Sequence, residues 1–304
     1  MKPTLVIWNP RASRAPRAQE LRESLERDDS VRLVVLEEGT SLAEVLLAEP
    51  AQCVVAAGGD GTVRGVAIAL DDGKQRDRIL GVLPLGTGND FARSLGVPLD
   101  PTDAWACLRS ERMRVRPLDM AMAFAGGSKH RFMNVAAGGN SLRVARATAD
   151  ESKRRWGVWS YLGTALTQMT DLVSHELAVR FDEGPTEHFE VVNVIVANGR
   201  RTSGGLEVAP RADLRDGLLD IALVLHGTLT DYAALAARLL AGTLSDGERI
   251  VYRQAARVEL DAQPELCFSL DGEILDHAPS AFRVEPRAIQ VLQVDPSPAA
   301  APEQ

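Results

Sequence analysis

Residues Cys53 to Leu70, CVVAAGGDGTVRGVAIAL, constrain the fold more than any other part of this chain. Cys53-Val54-Val55-Ala56-Ala57 is a short apolar run of the kind that forms a fully buried strand. Gly58-Gly59-Asp60-Gly61-Thr62 stops it, and Val63, Val66, Ala67 and Leu70 then recur at i, i+3, i+4 and i+7, the apolar stripe of a helix. A strand, a glycine-rich turn and a helix start together make an anion site, because exposed backbone N–H groups and the positive end of the helix dipole face the turn. Glycine lets that backbone approach a phosphate closely. Asp60 is the odd member, since a carboxylate beside a polyphosphate is repulsive unless a cation lies between them. The turn therefore reads as a site for a metal–nucleotide complex with Asp60 on the metal side. The plain alternative is a βα turn that uses glycine only for tightness.

A second unit of the same form follows. Leu80-Gly81-Val82-Leu83 is an apolar strand, and Pro84-Leu85-Gly86-Thr87-Gly88-Asn89-Asp90-Phe91-Ala92-Arg93 leads into a helix ending near Gly96. Around these units the first 118 residues alternate strand and helix. Leu5 to Trp8 and Val31 to Leu36 read as strands, and Pro16 to Arg27 as a helix with Ala18, Leu21 and Leu25 on one face. Ser41 with Glu44 reads as a capping box for a short helix through Ala48, and Asp100-Pro101 starts another. This alternation predicts a doubly wound, Rossmann-like α/β domain with a parallel sheet, whose ligands sit at one sheet edge.

From Arg114 the pattern changes to strands with a period of two. Asp119–Phe124 and His130–Ala136 flank a Gly126-Gly127 turn; Glu176–Phe181, Phe189–Ala197, Leu218–Leu225, Arg257–Leu260, Leu266–Leu270 and Ala281–Glu285 follow. Hairpin-length turns between them predict an antiparallel β-sandwich, interrupted by helices near Trp156–Leu172 and Leu229–Leu240. The expected division is 1–118 for the α/β domain, 119–287 for the sandwich, and a disordered tail over 295–304. A last strand, Ala288–Val294, is expected to return to the first domain.

With GGDGT and GTGNDFAR in place, the chain resembles the diacylglycerol kinase catalytic-domain family, which includes bacterial lipid kinases and the sphingosine and ceramide kinases. The resemblance runs over nearly the whole sequence. Asn9-Pro10 closes the first strand as the family's NP pair does, and Leu118-Asp119-Met120 with Phe132-Met133-Asn134-Val135-Ala136 looks like its central segment. Ala197-Asn198-Gly199, Gly204-Gly205 and Ala209 through Asp220 match the second-domain signature, and Asp271-Gly272-Glu273 matches the last motif.

The resemblance implies ATP and Mg2+ as cofactors, a nucleotide site in the cleft between two domains, and transfer of a γ-phosphoryl group to a lipid hydroxyl. Diacylglycerol converted to phosphatidic acid is the first expectation; ceramide, a sphingoid base or phosphatidylglycerol are the alternatives. A non-catalytic nucleotide- or lipid-binding regulator is the rival from another class. Such transfer needs positioning and charge neutralisation. The candidate phosphate donors are the amides of Gly58, Gly59, Asp60, Gly61 and Thr62, the Thr62 hydroxyl and the Gly86-Thr87 turn, with Asn89 in the second motif. Asn9 and Thr40, just past strand ends on the same edge, are further nucleotide contacts.

The family comparison places Asp60, Asp90 and Asp119 in an aspartate–water–magnesium network. On their own terms, Asp90 is also a first-turn acid favoured by the helix dipole and Asp119 a strand-end residue. It likewise assigns the general base to the position of Glu273, although Asp271-Gly272 between apolar strands is also an ordinary hairpin. Asp271 is a further candidate to orient the metal or Glu273. Asp216, in a tight turn with carbonyls nearby, is a candidate structural metal ligand or a plain Asp-Gly turn. Two departures stand out: Gly65 where most relatives carry an acid, and Gly139-Asn140 in a segment expected to border the acceptor pocket.

Charge narrows the partners. A formal net charge of −8 argues against broad nucleic-acid binding. Only four of the 34 basic residues are lysines, and none lies in either glycine turn, so phosphate recognition falls to amides, hydroxyls and metal. Cys53, Cys107 and Cys267 lie far apart and read as reduced small hydrophobes. No apolar run reaches the roughly 18 residues of a membrane span, so a cytoplasmic protein acting transiently at the inner membrane surface is expected, and a homodimer is compatible. Lys153-Arg154-Arg155-Trp156 through Leu162 mixes cations and aromatics, suited either to an anionic membrane surface or to packing on the sandwich.

Overall fold

The computed structural model describes residues 4–12, 16–73, 75–140, 172–244 and 247–295. The chain forms two compact units, Met1–Leu118 with Arg287–Gln304, and Asp119–Pro286.

In the first unit β1 (Thr4–Trp8), α1 (Pro16–Glu26), β2 (Val31–Val35), α2 (Leu42–Ala48), β3 (Cys53–Gly58), α3 (Asp60–Asp72), β4 (Ile79–Pro84), α4 (Asp90–Ser94) and α5 (Pro101–Leu108) follow in turn. The strands run parallel in the order β4-β3-β1-β2, with Leu5 beside Val54 and Cys53 beside Ile79. Gln290 and Val291, from the last strand of the chain, lie parallel beside Ile79 and Leu80. Leu5, Val6, Ile7, Val54, Ala56, Ala57, Leu80 and Leu83 are buried to within 1%, which is why these strands read as continuous apolar runs without alternation.

Right-handed crossovers assign the helices to faces. The step from β1 to β2 and the step from β2 to β3 run in opposite directions across the sheet, so α1 and α2 cover opposite faces. Accordingly α1 packs on α5, and α2 on α3. Caps start the helices: Ser41 Oγ accepts the Glu44 N–H, and Asp100 accepts the N–H groups of Thr102 and Asp103 with Pro101 at the first helical position.

The second unit is antiparallel. β5 (Met113–Ala125) enters it at Asp119 and turns at Gly126-Gly127 into β6 (Ser128–Phe132). Both glycines have positive φ, 56° and 77°, as a two-residue hairpin loop requires. β7 (Val135–Gly139), β8 (His175–Phe181), β9 (Thr186–Ala197), the ribbon β10 (Arg201–Thr202) and β11 (Leu206–Glu207), and β12 (Leu219–Leu225) follow. Then come α6 (Leu229–Leu240), β13 (Ile250–Ala255), β14 (Arg257–Gln263), β15 (Phe268–Leu270), β16 (Glu273–Ile274) and β17 (Pro279–Val294). β9 is the central member: its first half pairs with β8, and its second half carries β7 on one edge and β12 on the other. Phe282 joins the core aromatics, edge-on to Phe132 at 6.1 Å and tilted on Phe268 at 5.2 Å between ring centres.

The structure departs from the sequence reading in a few elements. β13 was not expected, because IVYRQA lacks clean alternation; pairing to β12 makes it a strand. The two expected strands Ala281–Glu285 and Ala288–Val294 are one, β17, kinked where Arg287 takes φ 54°. The expected strand His130–Ala136 is interrupted at Met133-Asn134, whose amides turn to a side chain, as described below. Residues 156–171 of the helix expected near Trp156–Leu172 and the basic–aromatic run 153–162 lie outside the described residues, as does the tail beyond Asp295, and Leu172 itself is not helical. No helix among the described residues is long and apolar enough to cross a membrane.

Candidate active site

In the first unit the sheet order places a topological switch between β1 and β3, whose connections leave in opposite directions. The crevice at the carboxyl ends of such strands is where open α/β sheets hold ligands. Asn9 and the GGDGT turn occupy it. The Asn9 N–H bonds the Ala57 carbonyl at 2.9 Å, and Asn9 Nδ2 donates to Thr62 Oγ1 at 2.8 Å. Asn9 Oδ1 also accepts the Arg11 N–H at 2.9 Å. Thr40 lies in the loop after β2, where its hydroxyl accepts the Glu37 N–H at 2.9 Å.

The two glycine motifs touch backbone to backbone. A Cβ on Gly86 would stand 2.5 Å from Gly59 Cα, and one on Gly58 would stand 2.4 Å from Thr62 Oγ1. Gly86 is locked by Asn89, which takes a left-handed φ of 53°, accepts the Gly86 N–H at 3.0 Å and donates to the Gly86 carbonyl at 2.7 Å. Asp60 completes the junction, its Oδ1 accepting the Phe91 N–H at 3.1 Å. Asp60 is the first residue of α3 and not a mid-turn residue; the helix starts before Val63, where the amides of Thr62 and Val63 bond the Gly59 carbonyl, a start the apolar stripe does not mark because Gly61 and Thr62 add nothing to it. No side chain caps that helix, so its leading amides face the crevice. Asp90, in the first turn of α4, is buried, and Thr87 is exposed.

Gly65 faces Leu42, whose Cδ1 would lie 3.0 Å from an added Cβ, so the position is closely packed. Gly139 and Asn140 are accounted for by the backbone. Gly139 has φ 92°, and a Cβ there would stand 2.5 Å from the Val192 carbonyl oxygen. Buried Asn140 donates to the carbonyls of Val173 and Val192, both at 2.8 Å, and accepts the Val173 N–H at 3.0 Å. Its side chain replaces a piece of β-ladder there, which is the structural meaning of that departure.

The second unit gathers motifs that are far apart in sequence. Asp271 and Gly272 form the tip of the β15–β16 hairpin with φ 48° and 90°, pairing Leu270 with Glu273. The Asp271 carboxylate accepts three amides: Met133 at 2.7 Å, Asn134 at 2.9 Å and Val135 at 3.0 Å. Asp271 is thereby the anchor of the 133–135 segment, with both carboxylate oxygens engaged by amides. Glu273 is exposed on the edge strand β16. Asn198, which sequence reasoning placed in a motif without a role, donates to the carbonyls of Met133 at 2.8 Å and Asp119 at 3.1 Å. Asp119 is buried, and its Oδ2 accepts the Gly217 N–H at 2.8 Å.

Asp216 Oδ1 accepts the Leu218 N–H at 2.9 Å. Burial first, then the charges of Asp213 and Asp119, hold the Asp216 carboxyl above its usual range. Among the described residues no three His, Cys, Asp or Glu side chains gather to hold a metal. A cation at Asp216 would therefore rest on one carboxylate, carbonyls and water, a set that suits a hard cation such as Mg2+ or Ca2+. The acid-rich surroundings fit such an ion.

Sequence reasoning also missed a buried cluster, for which β13 gave no signal. Asp220 accepts the Tyr252 hydroxyl at 2.6 Å and Gln254 Nε2 at 3.3 Å, and the Arg211 guanidinium lies 5.4 Å from the centre of the Tyr252 ring. Burial is the main cause holding the Asp220 carboxyl above its usual range. A carboxylate raised in the folded state binds its proton more tightly there than when unfolded. Its contribution to stability therefore declines as pH rises from the unfolded value, about 3.9, through the raised one. Asp220→Asn, which keeps an oxygen for Tyr252, is expected to match the wild-type melting temperature best near pH 4 and to gain on it towards pH 8. A variant that loses ground on raising the pH would show that the Tyr252 and Gln254 bonds outweigh burial.

Sequence comparison decides the family. Residues 3–123 match the diacylglycerol kinase catalytic domain, and residues 134–293 match the YegS C-terminal NAD kinase beta sandwich-like domain. The chain belongs to the diacylglycerol kinase catalytic-domain family. It is similar to a Pseudomonas aeruginosa protein named "Probable lipid kinase YegS-like", 34% identical over 268 residues, covering 87% of this chain and 84% of that one. A Pseudomonas fluorescens protein of the same name is 35% identical, covering 92% and 91%. The fold is shared with the crystal structure of a diacylglycerol kinase from Bacillus anthracis, at TM-score 0.69 and 21% identity over 99% of this chain and 98% of that one. An Archaeoglobus fulgidus NAD kinase in complex with ATP shares it more distantly, at TM-score 0.51 and 13% identity over 97% and 94% of the two chains. Membership of the family is thus carried by both halves, the GGDGT half and the sandwich half.

Proposed function

We propose that the chain is an ATP- and Mg2+-dependent lipid kinase that moves the γ-phosphoryl group of ATP to a lipid hydroxyl, with diacylglycerol as acceptor and phosphatidic acid as product. One observation carries the nucleotide half: two glycine motifs locked together at the switch point, with an uncapped helix start and a carboxylate between them. Amides of Gly58 to Thr62, the Thr62 hydroxyl oriented by Asn9, and the Gly86-Thr87 turn held by Asn89 bind phosphate oxygens, with Thr40 as a further contact. Asp60 and Asp90, each in the first turn of its helix, would hold water and the cation; Mg2+, when bound, would neutralise the charge of the transferred group.

Glu273 takes the proton of the acceptor hydroxyl as transfer develops. Its exposure on an edge strand suits an acceptor presented by a membrane surface. Asp216 holds a second, structural cation. The names of the relatives support the lipid reading, and the remaining lipids named above are outcomes of the same assay. Incubation with labelled ATP and a panel of lipid hydroxyl acceptors tests it; label in diacylglycerol is expected, and label in no lipid refutes it.

Asp60→Ala is expected to keep the melting temperature within a few degrees, since one partly exposed carboxylate adds little to the core. It should cut phosphoryl transfer at least about tenfold, because charge neutralisation at the phosphates is lost. A variant that melts like wild type and keeps full activity would remove Asp60 from the chemistry.

A further inference from the structure

We infer that Asn198 is a positioning residue that holds the Glu273 hairpin in register with the Asp119 turn. The inference rests on the kinase reading above. Asn198 stands at the end of β9 and is 1% exposed. Its backbone N–H donates to the Asn134 carbonyl at 2.8 Å, and the Gly199 N–H reaches the same oxygen at 2.9 Å. The side-chain amide spans two further carbonyls, Met133 and Asp119.

These bonds close a chain. The hairpin that bears Glu273 is anchored by Asp271 to the amides of residues 133–135. That segment is tied through Asn198 to Asp119, and Asp119 is tied to the amide of Gly217. The candidate base and the acidic turn thus meet in a single buried side chain. A close steric fit supports it: a Cβ on Gly199 would stand 3.0 Å from Asn134 Oδ1.

The choice of residue is informative. Among the described residues nothing donates to Asn198 Oδ1, which is buried. An apolar side chain would avoid that orphaned acceptor, so the value of asparagine here lies in its two N–H donors. Bridging β5 and the 133–134 break between β6 and β7 at once is a geometric task, and misplacement of a catalytic carboxylate by about 1 Å is enough to cost about 10²-fold in rate.

The test is Asn198→Ala in the full chain, beside Asp271→Asn and the double variant. Lipid-dependent kcat is expected to fall about tenfold or more in Asn198→Ala while the KM for ATP stays within about twofold, since the nucleotide motifs lie elsewhere in the chain. The double variant is expected to be no more than about threefold below the worse single one, because both act through residues 133–135. Fully multiplicative losses, or an unchanged kcat, would overturn the inference. A merely structural role would lower the melting temperature and leave kcat of the folded protein alone.

Asn198→Ser, which keeps a donor for one carbonyl, serves if the alanine variant does not fold, with the same unchanged KM and a smaller loss. Amide hydrogen exchange separates this inference from the kinase reading. If the wild type phosphorylates no lipid, that reading fails, yet Asn198 variants are still expected to raise exchange at Met133–Val135 and at Gly217 together. Exchange raised at neither segment, or at one alone, would sink the positioning role.

Discussion

Replacing Glu273 with Gln is expected to lower lipid-dependent kcat by about 10²–10⁴ with little change in ATP affinity or melting temperature. The substitution keeps the size and the polarity of the side chain and removes only its capacity to accept a proton. The turn of the hairpin is set by Asp271 and Gly272, and three amides anchor Asp271. An exposed residue on an edge strand changes stability by less than about 0.5 kcal/mol when its shape is kept. Steady-state kinetics with a saturating lipid, ATP affinity by calorimetry and a thermal melt check all three. Full activity in the Gln variant would assign the proton elsewhere, and loss of ATP binding would place the residue with the nucleotide instead of the acceptor.

Gly86→Ala is expected to weaken ATP binding by at least about tenfold and to cost about 1–3 kcal/mol of stability. The added methyl would lie 2.5 Å from Gly59 Cα, and that neighbour is backbone, so no rotamer relieves it. Relief comes only by moving the two motifs apart, which stretches the Asp60 to Phe91 bond and the Asn89 lock. Gly61→Ala is the control. A Cβ there meets nothing within 4 Å, and alanine in the first turn of α3 favours the helix by about 0.5–1 kcal/mol. The Gly61 variant is expected to melt no lower than wild type; a loss of ATP affinity without a loss of stability would mark the space beside Gly61 as the phosphate's. Equal ATP affinity in wild type and Gly86→Ala would refute the close-approach account.

Much of the architecture is written in local chemistry. The apolar runs at 5–8, 53–57 and 80–83 read as strands covered on both faces, and the helix stripes between them imply crossovers and therefore a parallel sheet. Asp100-Pro101 and Gly126-Gly127 announce a helix start and a hairpin because each meets its demand with its own side chain or its lack of one. The helix at Leu229–Leu240 is legible for the same reason. Where local chemistry is silent, so is the sequence. Ile250–Ala255 has no alternation and becomes a strand only because β12 offers it a ladder. Ala281–Glu285 and Ala288–Val294 read as two strands, yet with Arg287 left-handed one strand runs through both.

The sequence alone therefore determined the class of each half and the motifs that carry the family, since both depend on residues close together along the chain. Tertiary structure alone decided what those motifs do to one another. That Gly86 rests on Gly59, that Asp60 holds the Phe91 amide, and that Asp271 takes the amides of residues some 137 positions away are consequences of strand order. Asn198 shows the difference most plainly. As a letter in Ala197-Asn198-Gly199 it has no assigned task; the pairing of β9 with β7 brings it beside Met133, and the tertiary fold brings β5 with the Asp119 carbonyl to its other donor. Periodicity records which residues are buried; which donor meets which acceptor depends on topology, because a hydrogen bond needs its partner within about 3 Å.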